Sequence, residues 1–454
     1  MSPMGPLILP CETRVREFDA KLLLALVAAV RGRPAVVGNK KRIDLRLAML
    51  KPGVYVGKSL TARSRHNLTL ARACGHAVAV WDEEGLVWAS REVYWKTKVD
   101  ADTLNTPELL IAWGKDNARA WSEHPDYAGA RIEALGNPRA DLLSPRLTAL
   151  FAGEVDAIRA QHGRFILVNT NFSRVNHVQP RQNRHLKWLR EQRPDDPRGG
   201  FAAHKFALFK AFCKMLPELA RRLPEVQFVI RPHPSEKKAT WDALAADLDN
   251  VEVAQYGNVV AWLLASDGLI HNGCTTAVEA FQLGRPALAF EPVHSDTYDH
   301  PLPNGISLSC PDLDTLETSC RAASADPAAL FSRQASTGGR ERMANALAGL
   351  EDSELASERI SAMLAELQPG RPVRRKMVSA ALALRRILRV VEERIPGTAN
   401  YRPYLAHMFP DISLQEAQAR MTELGHCLQI NRLPEIRQLE QNVFQLQPPA
   451  DAAA

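Results

Sequence analysis

Cysteine is present but never in a useful pattern: Cys11, Cys74, Cys213, Cys274, Cys310, Cys320 and Cys427 are scattered, odd in number and form no CxxC pair. That argues against a disulfide framework and a cysteine zinc site, and fits a reducing cytoplasm. The histidines do not fall at HExxH spacing and no obvious DxD cluster follows a predicted strand, so neither a metal nor a cofactor is expected. No segment approaches about 18 uninterrupted apolar residues, and Met1–Cys11 lacks a basic stretch leading into a long apolar core. Neither a membrane span nor a standard secretion signal is expected. Strong charge is missing as well. A net +6 over 454 residues does not imply nucleic acid; it suits an ordinary basic surface or mild attraction to anionic substrates or membrane.

What is present is an ordinary globular composition, 46% hydrophobic and 24% charged, on a chain too long for one core. The spacing predicts strands at 6–10, 34–38, 53–57, 76–81, 108–113 and 130–135, with a buried helix over 18–30 and another over 41–50. Short strands separated by helices imply βαβ crossovers and a parallel sheet. The pattern restarts at Phe165–Asn169, followed by a long helix over 206–223 and strands at 226–231, 251–254 and 287–290. The expected fold class is therefore α/β: two Rossmann-like parallel-sheet domains facing a cleft, with a helical C-terminal appendage. The expected domains are residues 1–160, 161–350 and 351–454.

Between the second domain's first strand and its long helix, residues 173–200 are polar and have little to bury, so they read as an ordered or mobile loop over the cleft or a plain surface insertion. After Leu350 helices without strands are expected. One of them is basic and amphipathic: Arg374, Arg375, Lys376, Arg385, Arg386 and Arg389 accompany Met377, Val378, Ala381, Leu382, Leu384, Ile387, Leu388 and Val391. It either packs across the domains with a solvated cationic face or lies on an anionic leaflet. Residues 445–454 read as a frayed tail.

Two clusters carry candidate chemistry. Arg231-Pro-His-Pro-Ser-Glu236 follows a predicted strand, and its prolines fix the backbone around His233, which can donate to a phosphate or, protonated, neutralise it. Its neighbours Arg231, Pro234 and Ser235 join it as nucleotide-binding candidates. Gly268-Leu-Ile-His-Asn-Gly-Cys-Thr-Thr-Ala-Val-Glu279 is a strand, a turn and a helix start. Thr276 to Glu279 matches a capping box, and the same helix N-terminus offers N–H groups to an anion beside the Thr275 and Thr276 hydroxyls. Asn272, Gly273 and Glu279, a ribose acceptor or only a cap, belong to this cluster. Asn169, Asn171 and Ser173 end the first strand of the second sheet, where a donor or a simple turn would sit. Glu12, Arg14 and Arg16 follow the first strand of all and would hold an acidic acceptor or form a surface ion cluster.

RPHP followed by HNGCTTAVEAFQLGRPALAF resembles the donor-binding half of GT-B glycosyltransferases, particularly the bacterial sialyltransferase and Kdo-transferase groups, whose His-Pro and Ser/Thr-rich motifs bind CMP. Gly136-Asn-Pro-Arg-Ala-Asp141 is similar to a segment of capsule and teichoic-acid transferases. With Pro10-Cys-Glu-Thr-Arg-Val-Arg-Glu17, these resemble a family of surface carbohydrate biosynthesis proteins over residues 6 to 300. The resemblance implies an inverting, metal-independent transfer from a nucleotide sugar, CMP-linked by preference, to a polysaccharide or lipopolysaccharide acceptor; with the cysteine pattern and the basic helix, the expected place is the cytoplasm, with peripheral contact to the inner membrane as the helix's second reading. The acidic motif of those groups matches Asp82-Glu-Glu-Gly85. It implies Glu83 as the base, with Glu84 and Asp82 as alternates. A UDP-sugar 2-epimerase, a CDP-glycerol glycerophosphotransferase and a non-catalytic carbohydrate-binding protein are the competing readings.

Overall fold

The computed structural model describes residues 4–191, 197–350, 352–373, 375–396, 398 and 400–450. Two compact units emerge: one contains the residues through Leu86, Tyr94–Leu150 and those from Ala344 on, the other Val87–Val93 and Phe151–Met343.

In the first unit, apolar runs bounded by proline, glycine or asparagine become β1 (Leu7–Cys11), β2 (Ala35–Asn39), β3 (Val54–Gly57), β4 (Ala77–Val80), β5 (Leu109–Ala112) and β6 (Arg131–Ala134). They pair in parallel in the order β2-β1-β3-β4-β5-β6. Their near-continuous Val, Leu, Ile and Ala content suits strands covered on both faces. The helix Asp19–Val30 buries every residue from Ala20 to Ala29, so it lies within the core and not on a surface.

The second unit holds β7 (Phe165–Asn169), β8 (Gln227–Arg231), β9 (Val251–Val253), β10 (Gly268–His271), β11 (Ala287–Phe290) and β12 (Leu308–Cys310). These form an all-parallel sheet in the order β12-β11-β10-β7-β8-β9. Phe212, Leu216, Leu219, Phe228 and Trp241 pack in the core on one side of it. Both sheets are of the expected parallel α/β kind.

Four local expectations are corrected. The C-terminal region is helical at Ala356–Ala365, Arg375–Glu392 and Leu414–Cys427, but it ends in a hairpin, β13 (Glu435–Glu440) and β14 (Val443–Gln447). β14 pairs antiparallel with β2 and extends the first sheet to eight strands. Residues 445–447 thus belong to an inner strand, paired with β13 on one side and β2 on the other; 451–454 of the expected tail lie outside the described residues. The stretch 173–200, read as loop or insertion, carries a helix at Arg184–Glu191 and the start of the long helix, which runs Pro197–Arg222 and so begins well before residue 206; 192–196 lie outside the described residues. A DxD pattern does follow a strand that sequence reading missed. Asp312 after β12 accepts from Thr315 N at 2.8 Å and caps the helix Leu313–Ala325.

The Gly136–Asp141 motif proves to be a tie within the first unit. Buried Asp141 accepts from Ala356 N at 2.7 Å, Ser357 N at 2.8 Å and Ser357 Oγ at 2.6 Å, satisfying the free donors at the start of the 356–365 helix.

Candidate functional site

In the second sheet, β8 and β9 lie on one side of β7 while β10, β11 and β12 lie on the other. The order in which strands are added across the sheet therefore reverses between β7 and β10, the place where open parallel sheets leave a crevice beyond their strand ends. Asn169 pairs with Arg231, and Val168 with Ile270, so the turns after β7, β8 and β10 emerge side by side.

After β8, Pro232 is buried and His233 is exposed. His233 Nδ1 accepts the Ser235 N–H at 3.2 Å, which in a neutral ring leaves the proton on Nε2. Glu236 holds this turn. Its buried carboxylate accepts from Thr170 Oγ1 at 3.0 Å, Phe172 N at 2.8 Å, Trp241 Nε1 at 3.1 Å and His233 N at 3.4 Å, and burial pushes its carboxyl up. The loop after β7 is thereby fastened to the His233 turn, and Ser235 O accepts from Val178 N at 2.9 Å. Asn171 and Ser173 lie half-buried in that loop, and Pro234 is exposed. Arg231 donates to Gly257 O at 2.7 Å; burial pulls its guanidinium down to about 10, against the opposing pull of Glu279.

After β10, buried His271 accepts from Gly273 N at 3.0 Å on Nδ1 and so donates from Nε2 to Ser307 Oγ, 2.9 Å away. Gly273 has φ +78°, and a Cβ there would stand 3.1 Å from both His300 Nδ1 and Asn304 Oδ1; only glycine fits easily. The next helix is Thr275–Gln282, with Cys274 as N-cap and no side-chain cap. The expected Thr276–Glu279 capping box is not formed. The helix begins at Thr275, and the Thr276 hydroxyl meets Cys274 Sγ at 2.6 Å instead. Thr275, Thr276 and Glu279 are half-buried.

Three buried groups at this edge have lost water without gaining adequate partners. Asn272 is 5% exposed, yet neither atom of its side-chain amide is hydrogen-bonded among the described residues, and the same holds for Asn169 Oδ1. Lys205, from the helix Pro197–Arg222, is also 5% exposed. Its ammonium reaches Asn272 O at 3.4 Å, and no carboxylate pairs with it among the described residues. Burial pulls it down to about 8, with Cys274 and Asp299 opposing. A buried cation without an anion is costly; placed beside a helix N-terminus without a side-chain cap, it makes a site that favours an anion. Lys205 could not be found from spacing, because it meets Asn272 across 67 residues of sequence.

The first sheet has its own reversal, between β1 and β3, and an ionic cluster stands there. Lys21 Nζ meets Pro10 O, Glu17 and Glu83 Oε1, each at 2.8 Å, and Lys58 pairs with Glu12 and, at 3.4 Å, with Glu17. Burial would raise the Glu17 carboxyl, but Lys21 and Lys58 overcome it and hold it well below the usual range. Burial likewise opposes the Lys21 charge, and Glu17 and Glu83 win. Glu83 is 5% exposed; Trp81 Nε1 donates to Oε1 at 2.9 Å, and Oε2 has no partner among the described residues.

The alternates differ. Exposed Glu84 is bound by Arg16 at 2.9 Å and Lys98 at 3.1 Å, which overcome its desolvation and hold it far below the usual range. Asp82 is buried, accepts from Tyr94 OH at 3.0 Å, and is pushed by burial up to about 6. Arg14 turns to the C-terminal segment, donating to Asp411 O at 2.8 Å and pairing with Glu416 at 3.3 Å. Sequence reading missed Lys21, Glu17 and Lys58.

As to metals, Glu291, His294 and Asp299 place ligand atoms within 4.8 Å of one another. Their own bonds account for the cluster: Asn304 Nδ2 donates to Glu291 at 2.7 Å and His204 Nε2 meets Asp299 at 2.7 Å. No helix among the described residues is long and apolar enough to cross a membrane.

No family model matches the chain, and no curated protein matches it by sequence. Solved structures do. The S. aureus MnaA–UDP co-structure superposes with a TM-score of 0.52 at 13% identity, over 81% of this chain and 100% of that one. The wall teichoic acid polymerase TagF gives 0.50 at 11% identity, over 81% and 89%. At such identities the likeness is one of architecture, and it establishes the fold: two Rossmann-like parallel-sheet regions of GT-B type.

Proposed function

We propose that the chain is a glycosyltransferase that takes a sugar from a nucleotide donor, a CMP-sugar by preference, to a cell-surface polysaccharide or lipopolysaccharide acceptor on the cytoplasmic side. The observation that carries this reading is Lys205: a buried ammonium that no carboxylate pairs with among the described residues, beside the buried amide of Asn272 and the helix at Thr275. A donor phosphate supplies the charge and acceptors these groups need. His233, exposed and held by the turn that Glu236 fastens, is suited to donate to the departing phosphate. Arg231, Pro234, Ser235, Gly273, Thr276, Glu279, Asn169, Asn171 and Ser173 complete the donor side.

Glu83 is proposed as the base that deprotonates the acceptor hydroxyl in an inverting, metal-independent displacement, through the oxygen that Lys21 does not hold. Glu84, neutralised by two cations, is the weaker choice; Glu12, Arg14 and Arg16 stand as acceptor candidates. In this reading residues 1–160 serve the acceptor, 161–350 the donor, and 351–454 form an extension. The UDP of the MnaA co-structure keeps a UDP-sugar 2-epimerase as the second reading.

The deciding experiment follows CMP-, CDP- and UDP-linked donors by phosphorus NMR with and without surface-glycan acceptor. Acceptor-dependent release of free nucleotide from a sugar donor, lost by at least about a hundredfold in Glu83→Gln, is expected. Sugar epimerisation without acceptor would replace this reading with the isomerase, acceptor-dependent turnover of CDP-glycerol alone with the glycerophosphotransferase, and no turnover with a non-catalytic binder.

A further inference from the structure

The helix Arg375–Glu392 in the first unit is docked by one face only. Val378, Leu382 and Arg389 are buried, packed where the helix meets the turn Leu47–Met49 and the helix Arg65–Ala73, and Arg389 Nε pairs with Glu393 at 3.0 Å. The opposite face is apolar and in solvent: Met377, Leu384, Ile387, Leu388 and Val391 are each between 47% and 70% exposed, and Val373 and Ile395 continue the stripe at either end. At 3.6 residues per turn, Met377, Leu384, Leu388 and Val391 fall within about 60° of one another. An exposed stripe of this length is not a scatter of single surface residues.

The borders of the stripe decide what covers it. The helix carries five basic residues against one acidic. Lys376 and Arg394 lie along one border and Arg385 along the other, all exposed, and the one acid, Glu392, is taken by Arg385 at 2.6 Å and by Asn400. A second copy of this surface would bring like charges together. A surface with an apolar interior and anionic groups at its boundary matches both features, and that is the interface of an anionic bilayer. We infer that this helix lies in the headgroup boundary of an anionic membrane, apolar stripe down and cations against lipid phosphates. Arg374 lies outside the described residues. The inference stands independently of the donor site.

The test is co-sedimentation of the full chain with phosphatidylcholine vesicles, with and without phosphatidylglycerol, at low and high salt. Binding to the phosphatidylglycerol vesicles, weakened by salt and reduced at least about tenfold in Leu384→Glu/Leu388→Glu and in Lys376→Glu/Arg394→Glu, is expected. Both positions of the first variant are exposed, so unchanged circular dichroism should accompany the loss. No binding to either vesicle, or binding that the variants leave unchanged, overturns the inference. So does concentration-dependent dimerisation that the first variant abolishes while vesicles go unbound, which would assign the stripe to a second copy of the chain.

Discussion

A lysine ammonium withdrawn from water without a carboxylate to meet it holds its proton weakly, and among the described residues Lys205 is in that position. Burial brings it down to about 8, well below the ordinary lysine value. Between about pH 8 and that ordinary value the unfolded chain retains a proton the ligand-free fold has released, so the free protein gains stability as pH rises through this window. A bound phosphate works the other way, because it needs the charged form. Nucleotide affinity measured from about pH 7 to about pH 9.5 should therefore fall as pH rises through the same window, by about tenfold or more, and Lys205→Met should bind weakly with no such slope. A flat profile in the unaltered protein, or the same slope in the variant, would remove Lys205 from the anion site.

At the scale of elements, the added hairpin makes a sharp claim. Phe444 in β14 is fully buried and meets Phe18 edge-on at 6.0 Å, so β14 is core and not trim. Phe444→Ala should cost about 3–5 kcal/mol in denaturant unfolding; a cost below about 1 kcal/mol would show the strand to be dispensable. This hairpin was illegible in the sequence for a physical reason. EIRQLE and VFQLQ are half polar and follow a long helix, and β14 becomes a strand because β2 offers it an open edge. By contrast β1, β7 and β11 could be read almost to the residue, being wholly buried apolar runs between turn formers. The long helix begins earlier than expected because the polar stretch before residue 206 has little to bury and so reads as loop. Gly200 is inside the helix, where a Cβ would run into the Tyr298 hydroxyl and force that ring to move. The His233 turn and the Thr275 helix start were visible as proline and glycine punctuation, whereas Lys205 and the Lys21 cluster depend on packing between distant segments.

At the scale of the molecule, the first unit is completed from both ends of the chain. Arg33 Nη1 donates to Leu364 O at 2.6 Å, Arg420 pairs with Asp19 at 2.7 Å, and Arg42 pairs with Glu440 at 2.8 Å. The second unit is nearly continuous in sequence. Each sheet reverses its strand order once, and each reversal collects charge: a compensated network around Lys21 in the first, an uncompensated Lys205 in the second. This asymmetry is the reason to place the anionic donor on the second sheet. The most direct measurement is calorimetric titration of the full chain with CMP, CDP, UMP and UDP, repeated on Lys205→Met and His233→Ala. Binding of at least one of these nucleotides, strongest for CMP and weakened at least about tenfold in Lys205→Met, is the predicted result. No nucleotide binding, or binding indifferent to both substitutions, would contradict it.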